Sequence, residues 1–260
     1  ITYGDWSSDV CSSDLRRPAG PRRPAREDKV SSFGGEGMAD DLDRDKVAKA
    51  YARWAPVYDM VFGTVFERGR KAAIAAVEAA GGGRVLEVGV GTGISLPDYR
   101  RTNRLFGVDI SEPMLRKAQE RVAAEKLDNV EVLSVMDATK LAFPDGWFDV
   151  VVAQYVITAV PDPEGTLDEF ARVVKPGGEI ILVNHIGAES GPRKWFEVAF
   201  APVARKLGWR PEFPWARLAR WAERVPGVHV IDRRPMPPLG HFSLIRFGKA
   251  AEAPTAQAAE

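Results

Sequence analysis

The sequence predicts an α/β protein, a parallel sheet with helices on both faces that is finished by an antiparallel hairpin. Short β-branched runs (VLEV, LFGVDI, VEVLSV, FDVVVAQYVI and GEIILVNH) alternate with stretches of helical spacing such as EPMLRKAQERVAAE and EGTLDEFARVV. Strand, helix, strand repeated is the signature of a parallel sheet covered on both faces. The first run ends in EVGVGTG, with glycines at 89, 91 and 93, the kind of turn with which such a strand hands the chain to a helix. Near the C-terminus, VHVIDRRPM and HFSLIRFGK are separated only by PPLG, too short for a crossover helix, so the last two strands pair antiparallel.

Composition bounds the function. With 260 residues and 45 % hydrophobic content, the chain holds one full core with additions rather than two large domains. Its 36 basic and 36 acidic residues cancel, so bulk charge does not point to nucleic acid. The single cysteine, Cys11, cannot form an internal disulfide, which places the chain in a reducing, cytoplasmic compartment. No apolar run approaches the roughly 20 residues that cross a bilayer, and the N-terminus lacks the apolar core of a secretion signal, so any membrane is met from the side. His185, His229 and His241 fall on three separate strands, without the spacing of a metal site.

The two ends differ from the middle. Residues 1–37 combine a repeated Ser-Ser-Asp unit, an Arg/Pro tract and SSFGGEG, with no helix or strand periodicity, and read as a disordered or non-native extension. Gly34-Gly35-Glu36-Gly37 before Met38 is what a translated ribosome-binding site yields, which makes Met38 the expected start. Residues 38–80 form a helical cap, 81–249 the main domain, and 250–260 an Ala-rich flexible tail.

Glycines after a first strand leave room for ligand atoms against the backbone. A dinucleotide fingerprint needs G-x-G-x-x-G, its last glycine packing helix on strand; here Ile94 stands where that glycine belongs. LFGVDI carries Asp109, sixteen residues after Gly93, where a carboxylate accepts hydrogen bonds from the vicinal hydroxyls of a ribose. The alternative for Asp109 is an N-cap for the helix opening SEPML, a role for which Ser111 competes. The third strand ends in Met136-Asp137-Ala138, where an adenine ring fits between apolar faces with Asp137 accepting from its amine; capping a loop is the other reading of Asp137.

Taken together, EVGVGTG, GVDIS with Met114 just beyond, MDATKLAFPDGWFDVVVAQ and a helix ending RVVKPGGEI resemble the class I S-adenosylmethionine-dependent methyltransferases over about residues 80–250. The resemblance implies a Rossmann-like seven-stranded sheet of order 3-2-1-4-5-7-6, its last strand antiparallel. It implies S-adenosyl-L-methionine as cofactor: the methionine end over Glu87, Gly89, Gly91 and Gly93, the ribose on Asp109 with Ile110 and Met114 alongside, and the adenine near Met136, Asp137 and Ala138. Gln154, ending the fourth strand, takes a position from which such enzymes touch cofactor or substrate.

Upstream, KAYARWAPVYDMVFG places Tyr51, Trp54, Tyr58 and Phe62 at spacings of three and four, one aromatic face of a helix that Pro56 interrupts, so that a new turn begins at Tyr58. YARWAPVYD, LEVGVGTGISLP and VNH resemble the bacterial peripheral phosphatidylethanolamine N-methyltransferases, and also the quinone C-methyltransferases. On the lipid reading, an ammonium headgroup must lose a proton before its nitrogen can attack, and His185 and the Tyr58 hydroxyl are the candidate acceptors, with a structural role as the alternative for His185. Tyr51 and Tyr58 then supply aromatic faces to the methylated cation. Residues 191–224 hold four of the seven tryptophans and eight basic residues against three acids, the composition of a segment lying on an anionic membrane surface, or of a lid over the site. A small-molecule methyltransferase and a non-catalytic cofactor-binding module stay open beside the phospholipid substrate.

Overall fold

The computed structural model describes residues 58–187, 213–236, 240 and 242–251, with side chains from residue 66 onward. Tyr51, Trp54, residues 1–37 and residues 191–212 lie outside the described residues, as does the side chain of Tyr58.

The elements are α1 (Tyr58–Ala79), β1 (Arg84–Val88), β2 (Arg104–Asp109), α2 (Glu112–Glu125), β3 (Val130–Val135), β4 (Phe148–Gln154), α3 (Pro163–Val173), β5 (Val174–His185), α4 (Trp215–Arg224), β6 (Val228–Met236) and β7 (Phe242–Lys249). They build one seven-stranded sheet of order β3-β2-β1-β4-β5-β7-β6, as the resemblance implied. The pairs β1–β2, β1–β4, β2–β3 and β4–β5 are parallel, and β7 runs antiparallel to both β5 and β6. Strand order reverses between β1 and β4, which opens a crevice beyond their carboxyl ends.

Both faces are buried, which explains the continuous apolar runs of the central strands. On one face Val85, Val150, Val152, Ile181 and Val183 pack with Ala73, Ile74 and Val77 of α1 and with Leu115 and Val122 of α2. On the other, Leu86, Val151, Ile180 and Leu182 pack with Leu167 and Phe170 of α3 and Leu218 and Trp221 of α4. The stretch 58–79, read from sequence as part of a cap, is a helix whose Ala73, Ile74 and Val77 pack on one face of the sheet.

Local chemistry sets the boundaries. Helix α2 opens on Glu112 and Pro113, residues suited to a first turn, and closes on Lys126 in the left-handed region at φ 51°. In α3 the Asp162 carboxylate accepts from the Gly165 amide at 2.9 Å, an N-cap followed by Pro163. Two strand boundaries differ from the sequence expectation. FDVVVAQYVI stops at Gln154 because Tyr155 takes a positive φ of 64°, which no strand tolerates. GEIILVNH is extended backward to Val174, since the register jumps from Phe148↔Val174 to Val150↔Glu179, and Lys175 to Gly178 are absorbed as an irregularity beside β4.

Candidate active site

The three glycines after β1 have three different tasks. A Cβ on Gly89 would lie 2.2 Å from Val156 Cγ2, so this position admits the chain beyond β4. A Cβ on Gly93 would lie 2.9 Å from Leu96 Cδ1 and 3.0 Å from Ala118 Cβ in α2. Gly93 thus lets the turn pack closely on α2; directly after the turn, where the sequence led to a helix, the chain makes only a single 3-10 turn at Leu96–Asp98. Gly91, at φ 56°, would meet nothing within 4 Å. Its missing side chain leaves open space on the crevice, and its amide donates to Asp109 Oδ2 at 2.9 Å.

Glu87 lies at the floor of the crevice, 4 % exposed. Its carboxylate accepts from Ser95 Oγ at 2.6 Å, Tyr99 Oη at 2.8 Å and Gln154 Nε2 at 3.3 Å. Burial pushes its pKa up to about 7, while the two hydroxyl donors and the charge of Arg70 pull the other way. Gln154 is buried as well, and its Oε1 has no hydrogen-bond partner among the described residues. Asp109 is likewise raised by burial and lowered by the amides of Ser111, Gly91 and Ile110. Ser111 occupies the N-cap position of α2, yet its hydroxyl makes no capping bond; its amide donates to Asp109 Oδ1 at 2.8 Å instead. Ser111 thus takes the cap position for which it competes with Asp109, while both Asp109 carboxylate oxygens accept a backbone amide. Each keeps further lone-pair capacity.

The other sequence-derived residues fall as follows. Ile110, 42 % exposed, stands in solvent just beyond β2, as does Val135 at the end of β3, 49 % exposed. Met114 is buried in the first turn of α2. Met136 and Ala138 pack against the apolar core. Asp137 Oδ1 accepts from the Thr139 amide and hydroxyl at 2.9 and 2.8 Å, so the loop-capping alternative is present. His185 ends β5, paired with Phe242, its ring 6.4 Å from that of Phe242. Tyr58 opens α1.

The crevice is lined by Phe66, Arg70, Glu87, Gly89, Gly91, Gln154 and Tyr155, among others. Arg70, Phe66 and Tyr155 were not identified from sequence. The first two lie on a helix whose pattern speaks only of packing, and Tyr155 was hidden inside a run read as strand. Ser95 and Tyr99, the hydroxyl donors to Glu87, sit in a loop where no periodicity marks them.

The segment 191–224 divides at the described residues. Its last part, α4, turns Trp221 into the core at 1 % exposure, with the indole donating to Asp168 Oδ1 at 2.8 Å. Arg217 pairs with Glu164 and Arg224 with Asp168, and Trp215 stacks on Phe247. These tryptophans and arginines bind α4 to α3 and the sheet, so the basic, aromatic composition is in this part a docking surface within the fold. Among the described residues no helix is long and apolar enough to cross a membrane.

An acidic strand end, a glycine turn that opens on the crevice and a second carboxylate at the end of the adjacent strand, set on a 3-2-1-4-5-7-6 sheet, define a class I methyltransferase fold. The methyltransferase domain family matches residues 86–182. A solved S-adenosylmethionine-dependent methyltransferase from Thermotoga maritima superposes with a TM-score of 0.57 at 24 % identity, covering 77 % of this chain and 99 % of that one. The phosphatidylethanolamine N-methyltransferase of Cereibacter sphaeroides is 43 % identical over 206 residues, 79 % of this chain and 98 % of the relative. The ubiquinone/menaquinone biosynthesis C-methyltransferase of Burkholderia mallei is 29 % identical over 184 residues, 68 % of this chain and 75 % of the relative. The chain belongs to the S-adenosylmethionine-dependent methyltransferases, in the same family as the Cereibacter enzyme. The residues present fit that cofactor: a Cβ-free cradle at Gly91, carboxylates at Glu87 and Asp109, and the apolar Ile110 standing in solvent beside them.

Proposed function

We propose that this enzyme methylates the amino nitrogen of phosphatidylethanolamine and of its partly methylated derivatives, toward phosphatidylcholine. The observation that carries the reading is the 43 % identity along 98 % of a phosphatidylethanolamine N-methyltransferase, against 29 % along 75 % of a quinone C-methyltransferase.

When bound, S-adenosylmethionine supplies a methyl group on a positively charged sulfur. In this reading Glu87 and the turn Gly89–Gly93 hold its aminoacyl end, Asp109 its ribose hydroxyls, and Ile110, Met136, Asp137 and Ala138 its base, with Met114 supporting them from the core. Gln154, whose Oε1 lacks a partner among the described residues, offers an acceptor toward the crevice. The incoming headgroup is an ammonium, and its nitrogen attacks only after losing a proton. His185 at the end of β5 takes that proton, with the Tyr58 hydroxyl as the second acceptor, and Tyr51 and Tyr58 present aromatic faces to the methylated product. Contact with an anionic membrane surface, on its cytoplasmic side, falls to residues 191–212 rather than to α4.

Incubating the purified chain with labelled S-adenosylmethionine and either phosphatidylethanolamine vesicles or a demethylquinone tests the reading. Label appearing in mono-, di- and trimethylated lipid is the expected result. Label only in the quinone would overturn the lipid assignment and leave the methyltransferase class intact.

A further inference from the structure

Tyr155 is held in place by two choices that local preference opposes. Its φ of 64° puts a bulky side chain in the left-handed region, where such residues are outliers. Across from it, Gly69 interrupts the middle of α1, and a Cβ there would lie 1.9 Å from the Tyr155 hydroxyl. Unfavourable backbone choices that converge on one contact mark a functional constraint.

The contacts of Tyr155 show what is being held. Its amide donates to Val183 O at 2.6 Å and its hydroxyl to Phe66 O at 3.1 Å, so the hydroxyl is committed to α1 rather than aimed at a reacting atom. The ring stacks on Phe66 with centroids 4.2 Å apart. Phe242 stands near-perpendicular to both, 5.5 Å from Phe66 and 5.3 Å from Tyr155. Nearly equal distances put Phe242 at the side of the stack, where it does not cover the outer face of Tyr155. Both stacked rings line the crevice beside Glu87 and Gln154.

We propose that Tyr155, braced by Phe66, is an acceptor-binding residue whose aromatic face receives the alkylated ammonium head of the partly methylated lipid. The proposal rests on the phosphatidylethanolamine reading. Each transfer replaces an N–H by a methyl and keeps the nitrogen cationic, so hydrogen-bond acceptors lose their hold as methylation proceeds while an aromatic face retains it.

The test compares Tyr155→Asn, which removes the ring but suits a left-handed backbone, with Tyr155→Phe and Phe66→Leu. Activity is measured on phosphatidylglycerol vesicles carrying phosphatidylethanolamine or its N,N-dimethyl derivative, with cofactor binding by calorimetry as the control for folding. In Tyr155→Asn, KM for the dimethyl lipid is expected to rise roughly tenfold more than KM for the unmethylated one, and Tyr155→Phe to recover most of that difference. Phe66→Leu should show the same selectivity more weakly, which carries the test if the Asn variant fails to bind cofactor. Equal changes for both lipids, or none, overturn the proposal and leave Tyr155 a packing residue. Wild-type protein inactive on both lipids would instead remove the lipid reading itself, and this proposal with it.

Discussion

The Gly91 amide donates to the Asp109 carboxylate across 2.9 Å, and this bond joins the turn after β1 to the end of β2. The Ser111 amide holds the other carboxylate oxygen at 2.8 Å. Asp109 therefore fixes the turn that lines the crevice, and its proposed hold on the ribose is open to test. Asp109→Asn keeps the size, removes the charge and turns one acceptor into a donor facing an amide. Affinity for S-adenosylmethionine is expected to fall at least tenfold, the order of a lost charge-assisted hydrogen bond, as read by calorimetry. Unchanged affinity would remove Asp109 from the cofactor site.

Gly91 and Gly93 separate binding from folding. Gly91→Ala meets no atom within 4 Å, so its cost to stability is limited to the left-handed backbone, about 1 kcal/mol, while its methyl enters the space assigned to the cofactor. Gly93→Ala presses on Leu96 and on the α2 backbone at Ala118 and should destabilise by about 1–3 kcal/mol more. Thermal unfolding should rank Gly93→Ala below Gly91→Ala, and calorimetry should show cofactor binding lost in Gly91→Ala despite a folded protein.

Glu87 makes stability depend on pH. Burial raises its pKa from 4.5 to about 7, so between those values the folded state holds a proton that the unfolded state has released. The contribution is fully present below about pH 4.5 and is lost as pH rises through about 7; its size is on the order of 3 kcal/mol. Glu87→Gln has no proton to lose. Denaturant unfolding at pH 5 and pH 8 should show a smaller difference for the variant than for the wild type, and an identical difference would locate the titrating group elsewhere.

Gly69→Ala tests sign. Alanine is favoured over glycine inside a helix by about 1 kcal/mol, which alone predicts stabilisation. The new Cβ would lie 1.9 Å from the Tyr155 hydroxyl, so the tyrosine must leave its place and release its bond to Phe66. We expect a lower melting temperature in spite of the better helix former. A higher one would show that Tyr155 relocates without cost.

Much of the site was legible because its signals are local. Glu87, the three glycines and Asp109 sit at strand ends that the β-branched runs announce; Glu87, Gly89 and Gly91 line the crevice, Asp109 is tied to it through the Gly91 amide, and Gly93 packs on α2 instead. The same logic failed at Tyr155: strand propensity carries the run from Phe148 through Ile157, and nothing in it encodes a chain that turns at 155 or a glycine 86 residues earlier that makes room for the Tyr155 side chain. In α4, too, composition alone could not tell what the side chains meet: Asp168, on a different helix, accepts from both Trp221 and Arg224.

By itself, the sequence determined the alternation of strands and helices, the hairpin at the end and the acidic and glycine positions at the first two strand ends, because apolar period and the conformational demands of glycine act over a few residues. Tertiary structure alone decided that Arg70 and Phe66 of α1 meet Glu87 and Tyr155 in one crevice, that Ser95 and Tyr99 hold Glu87, and that α4 turns its tryptophans inward. Those outcomes depend on which distant groups the sheet order brings together: the burial that raises the Glu87 pKa and the meeting of Asp168 with α4 exist only once the layers have closed.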